Sequence, residues 1–69
     1  MMTGKVTSYD ATEGFGFITP DDGGQIVFVN AIAVERAGLR ELVEGQEVSF
    51  ETFLDRRSGT IAVQNVETP

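Results

Sequence analysis

Cysteine and histidine are both missing from this 69-residue sequence. Without cysteine there is no disulfide framework and no thiolate zinc site. Without histidine the chain lacks the commonest general acid–base and the commonest metal ligand. Catalysis would have to rest on carboxylates, lysine or arginine, and these fall on turns and strand ends with no concentrated cluster. An enzyme is therefore not expected, nor a cofactor or a metal site. Even the paired acids Asp21 and Asp22 supply too few ligands for a calcium ion, and turn chemistry explains them better. Basic residues are scarce as well: five stand against eleven acids, a net charge of −6. Because lysine and arginine dominate affinity for phosphate backbones, that balance argues against a polyanionic partner. No apolar run is long enough to span a bilayer, and Met1 to Lys5 lacks the basic-then-apolar layout of a secretion signal. The simplest expectation is a cytoplasmic protein with no membrane partner.

Against these absences stand five phenylalanines and one tyrosine in a small chain. Three of the phenylalanines fall in two short stretches, Glu13-Gly14-Phe15-Gly16-Phe17-Ile18 and Val27-Phe28-Val29. On a strand, residues two apart share a face. Phe15 and Phe17 then stand on one surface while Gly16 and Ile18 face the other, and Phe28 points away from its flanking valines. Pairing the two strands antiparallel gathers three rings opposite the aliphatic side chains. An aromatic patch outside a small barrel is a stacking platform for unpaired bases.

The remainder of the chain reads as further short strands within one domain spanning 1–69. Lys5 to Tyr9 forms a first strand, Thr19-Pro20 ends the second, and Asp21-Asp22-Gly23-Gly24 is a tight turn into a third over Gln25 to Val29. Asn30 to Arg40 breaks the period of two and fits a short helical turn that Asn30 can cap and Gly38 can halt. Val48 and Phe50 alternate with Ser49 and Glu51 in a fourth strand, whose parity leaves open which of Phe53 and Leu54 is buried. Thr60 to Val66 makes the fifth. Val66 is out of step with Ile61 and Val63, which a bulge near Gln64-Asn65 would reconcile. The fold expected is all-β: a five-stranded antiparallel barrel with a helical turn between strands three and four. Val6, Ile18, Val27, Val29, Ile32, Val48, Phe50, Ile61 and Val63 are the candidate core.

Taken in this order, the chain resembles a bacterial cold shock protein, a five-stranded OB barrel, over nearly its full length. Gly-Phe-Gly-Phe-Ile at 14–18 looks like the first ribonucleoprotein motif of that family, and Val-Phe-Val at 27–29 like the second. Gly4-Lys5-Val6, Thr19-Pro20-Asp21-Asp22-Gly23, Glu44-Gly45-Gln46, Val48-Ser49-Phe50-Glu51 and Asn65-Val66 fall at matching places. The resemblance implies binding of single-stranded RNA or DNA with low sequence preference, and RNA-chaperone or regulatory roles in gene expression. Members of the family are often acidic overall, with their bases kept near the platform.

The departures from the pattern are informative. Thr7-Ser8-Tyr9-Asp10 stands where the family has Lys-Trp-Phe-Asn, Glu13 replaces a lysine, Ile26 an aspartate, Asn30-Ala31 a His-Phe pair, and Leu39 a phenylalanine. Base–aromatic stacking is worth about 1–3 kcal/mol per base, and about 1.4 kcal/mol is a tenfold change in affinity. Two lost increments would weaken binding by roughly two to three orders of magnitude. The candidate nucleic-acid contacts are Phe15, Phe17 and Phe28, with Tyr9, Asn30 and Arg56 around them. Tyr9 either stacks at the platform edge or covers the barrel. Asn30 either bonds a base or caps the following turn, and Arg56, with Arg57 beside it, either meets phosphate or is solvated. Leu39 fits loop packing better than a base contact. The protein is expected to be a monomer, and the alternative function is a diverged barrel whose exposed apolar face docks a protein partner.

Overall fold

Five strands and one helix succeed one another along the chain, which the computed structural model describes over residues 1–68: β1 (Met2–Asp10), β2 (Phe15–Pro20), β3 (Val27–Asn30), α1 (Ala31–Arg36), β4 (Glu47–Asp55) and β5 (Thr60–Glu67). They close into a barrel in the order β1-β2-β3-β5-β4, the OB arrangement expected from the sequence. The pairing is antiparallel except at one seam. β3 and β5 run parallel, with Phe28 beside Ala62. This corrects the all-antiparallel expectation, and α1, the long loop after it and β4 together make the long connection that a parallel neighbour requires.

β1 is shared between two partners. Met2 to Lys5 pairs with β4, and Gly4 to Asp10 pairs with β2. At the overlap a Cβ on Gly4 would lie 2.5 Å from the Thr19 carbonyl oxygen, so only glycine lets the strands come this close.

Val6, Ile18, Val27, Val29, Val48, Phe50 and Val63 fill the interior, as their alternation requires. Two expected core residues are outside it. Ile32 is 58% exposed, because α1 turns about 100° per residue and presents Ala33 and Val34 to the barrel instead. Ile61 has the inward parity of Val63 but is 42% exposed, since it pairs with Leu54 where the β4–β5 hairpin runs past the packed interior. Leu42, from the loop before β4, and Val66 are buried in their place. Val66 points inward because Glu51 pairs with Asn65 and Thr52 with Val63, leaving Gln64 as a bulge that resets the alternation.

Candidate nucleic-acid interface

Phe15 and Phe17 on β2 stand opposite Asn30 and Phe28 on β3, so all four side chains share the outer face of one ladder. Their three rings form a single cluster. Phe15 stacks on Phe28 with centroids 5.7 Å apart and planes at 23°, and Phe17 meets both edge-on at 6.0 Å. Phe17 is 36% exposed, the most open of the three. Edge-to-face contacts of this kind hold each ring by about 0.5–1.5 kcal/mol beyond area burial, so the faces are presented in fixed orientation.

Gly16 is the reason β2 can lie so close to β1 at Tyr9. A Cβ there would stand 2.8 Å from both Cα and Cδ1 of Tyr9 and would press on the Ser8 carbonyl oxygen. Tyr9 itself is not part of the aromatic face. Val6 pairs with Ile18 and Ser8 with Phe17, leaving Thr7 as a bulge. That extra residue reverses the parity of the last part of β1. Ser8 and Asp10 lie beside Phe17 and Phe15, while Tyr9 lies over Gly16 on the opposite side and packs against the core. The sequence left Tyr9 with two placements, and the structure gives the covering one.

The Tyr9 hydroxyl ionises above its ordinary value of 10.0, first because burial disfavours the phenolate and then because Glu35 and Glu41 lie near it. Ionisation is thus harder in the folded than in the unfolded chain. This contribution to stability is complete below the unfolded value of about 10 and is lost as pH rises through the folded one. Tyr9 is the only tyrosine, so phenolate absorbance should show one transition, displaced above pH 10.0. The same experiment on urea-unfolded protein should bring the transition back down. A folded-state midpoint at or below the unfolded one would refute the assignment.

Asn30 lies on the aromatic face and caps α1 at the same time: its Oδ1 accepts the Ala33 N–H at 3.0 Å. Its amide nitrogen remains available at the edge of the rings. Arg56 is exposed on the β4–β5 turn, away from the three-ring cluster but next to the groove beside it. That turn is ordered by Asp55, whose Oδ1 accepts the Arg57 N–H at 2.9 Å. Asp10 orders the β1–β2 turn in the same manner through Thr12 and Glu13. Lys5 reaches Asp21 at 3.6 Å, a solvent-exposed pair of little energetic consequence and the only ion pair among the described residues. Leu39 packs against the core.

One member of the face was not identified from the sequence. Phe53 is 45% exposed, and it lies directly across from Ala62, which in turn lies beside Phe28. Phe28, Ala62 and Phe53 therefore form a row across β3, β5 and β4. A groove of about 390 Å³ runs along this row, bordered by Phe17 and Asn30.

The sequence that builds this barrel has counterparts among known proteins. The sequence model of the 'Cold-shock' DNA-binding domain matches residues 2–68. The chain belongs to the cold-shock domain family. It is 55% identical over 67 residues to a probable cold shock protein of Sinorhizobium fredii, an alignment covering 97% of each chain. Cold shock protein CspA of Rhizobium meliloti is 52% identical over 66 residues, 96% of each. The cold shock-like protein CspC of Shigella flexneri is 47% identical over 60 residues, covering 87% of this chain and 86% of the relative. The family is one of nucleic-acid binding. In this cold-shock domain the ring cluster lies on β2 and β3, while the β1 side of the face carries a serine and an aspartate. Among the described residues, no helix is long and apolar enough to cross a membrane.

Proposed function

We propose that this cold-shock domain binds single-stranded RNA or DNA with low sequence preference, by stacking bases on Phe15, Phe17 and Phe28. The observation that carries this reading is the cluster itself: three rings within 6.0 Å of one another on an open face, on the strands that bear the family's two motifs. Stacking tolerates any base because every base has a π-face. Asn30 adds a donor beside the rings, and Arg56 lies within reach of a backbone leaving the face. Affinity is reduced because Ser8, Asp10 and Asn30 offer β1 and the end of β3 no ring. A role as an RNA chaperone or regulator of gene expression, in the cytoplasm and as a monomer, is in keeping with such loose binding.

Titration with oligo-dT and oligo-rU at low salt, monitored by heteronuclear NMR, tests this. Shifts should centre on Phe15, Phe17, Phe28 and Asn30, and should be small at Tyr9. No shifts on the β2–β3 face at millimolar ligand would overturn the reading. A second reading, docking of a protein partner, rests on Ile26, Leu54 and Ile61. Ile26 and Leu54 are each 55% exposed, and Ile26 and Ile61 line one hollow next to Phe17 and Phe28. Association that is lost on Ile26→Ser but not on Phe15→Ala would favour it.

A further inference from the structure

Phe53 is an aromatic ring on the open face with no ring in contact among the described residues. From its geometry we infer a second base-stacking subsite, formed by Phe53 and Phe28 over Ala62, which draws a single strand across β5 and β4 rather than across β1. The inference rests on the nucleic-acid reading and adds a residue and a direction to it.

Three observations carry it. The first is spacing. Phe28 and Phe53 are each register partners of Ala62, on strands flanking β5. Neighbouring strands lie about 4.8 Å apart, which separates the two backbones by roughly 9–10 Å. A planar base between two rings needs van der Waals contact on both sides, about 7–8 Å in all. Two side chains leaning slightly inward reach that distance. The alanine between them is 7% exposed and has too little bulk to fill the slot.

The second is the wall chemistry. Asn30 at the end of β3 and the pair Ser58 and Thr60 at the β4–β5 turn border the groove and bring hydrogen-bonding groups to a base edge. Asp55 also borders it, with one carboxylate oxygen held by the Arg57 N–H. Ser58 Oγ and Thr60 Oγ1 lie 2.6 Å apart, so the pair presents a fixed polar rim.

The third is charge. Arg36 lines the adjoining hollow together with Ile32, Asn30 and Phe53, and Arg56 and Arg57 lie on the turn at the other end of β4. Three of the five basic residues of the chain thus flank the Phe53 side. The β1 side offers a single cation, Lys5, already paired with Asp21, and beside the rings it carries Ser8 and Asp10, with Glu13 next in the turn. A polyanion favours the first of these paths.

The test is the affinity of fluorescently labelled oligo-dT for Phe53→Ala, Phe17→Ala and the unaltered protein. Phe53 is exposed, so the variant should keep the far-UV circular dichroism and melting behaviour of the parent. Affinity should fall about fivefold or more, the lower end of one lost stacking contact. Phe53→Trp gives a second readout, since the chain has no tryptophan: its emission should be quenched on titration with unlabelled oligo-dT. Full affinity of Phe53→Ala, with weakened Phe17→Ala and no quenching, would overturn the subsite and leave the primary platform standing. If neither alanine variant differs from the parent, the nucleic-acid reading fails together with it. Loss of self-association or of protein binding in Phe53→Ala, with oligo-dT affinity unchanged, would overturn the inference in favour of a protein-docking surface.

Discussion

Gly16→Ala is expected to cost about 3 kcal/mol of folding stability and to lower the melting temperature by roughly 10 °C or more. The substitution adds one carbon. In most strands it would help, because alanine loses less backbone entropy on folding than glycine. Here the added Cβ meets main chain: the Ser8 carbonyl oxygen, and Tyr9 Cα at 2.8 Å, with Tyr9 Cδ1 at the same distance. Carbon atoms reach optimal contact at about 3.5–4.0 Å. The tyrosine ring can turn aside, but the β1 backbone can yield only by opening the β1–β2 ladder where Ser8 pairs with Phe17 and Tyr9 with Gly16. For 69 residues a total stability of about 3–10 kcal/mol is ordinary. The loss is therefore a large fraction of the whole, and chemical denaturation will read it as a shifted midpoint. Gly14→Ala is an informative comparison. Gly14 has φ of +81° and open space around it, the nearest atom being Ala31 Cβ at 3.6 Å. Its cost is conformational strain, about 1–2 kcal/mol, with no push on β1. A loss for Gly16→Ala no greater than for Gly14→Ala would show that β1 can retreat from β2 freely.

The same contact explains what could and could not be read from the sequence. Period-two alternation placed Phe15, Phe17 and Phe28 on the outside, and Ile18, Val27, Val29, Val48 and Phe50 on the inside. Those assignments depend only on residues within one strand. Tyr9 and Val66 depend on bulges at Thr7 and Gln64, which insert a residue on one side of a ladder. The mismatch of Val66 with Val63 revealed the second bulge, because an apolar residue on the wrong parity is conspicuous. Tyr9 gave no such signal, since an aromatic ring is tolerated on either face. Phe53 was ambiguous for another reason. Phe53 and Leu54 have opposite parity but are both exposed, because the hairpin outruns the barrel interior. Local alternation contains no information about where the interior ends. The parallel seam of Phe28 with Ala62 was likewise invisible, being a contact between elements far apart in the chain.

The largest effect on function is expected from Phe17→Ala combined with Phe28→Ala. Each ring supports stacking worth about 1–3 kcal/mol. The two touch at 6.0 Å, so their losses will not simply add. A combined loss near 3 kcal/mol corresponds to roughly a hundredfold weaker binding of oligo-dT at about 1.4 kcal/mol per tenfold. Neither ring belongs to the buried core, so the double variant should remain folded, and Val43→Ala, at another exposed apolar position, serves as the neutral control. Salt separates this loss from an electrostatic one. For single strands the logarithm of affinity falls with the logarithm of salt with slope about −0.7 per neutralised phosphate. With Arg36, Arg56 and Arg57 as the available cations the slope should be shallow, about −2 at most. Removing two neutral rings should lower the whole line and leave its slope unchanged, whereas Arg56→Ala should flatten the slope and lower affinity far less. A steep slope that disappears with the phenylalanines would mean that the rings only position phosphate contacts, and that the bases are bound elsewhere.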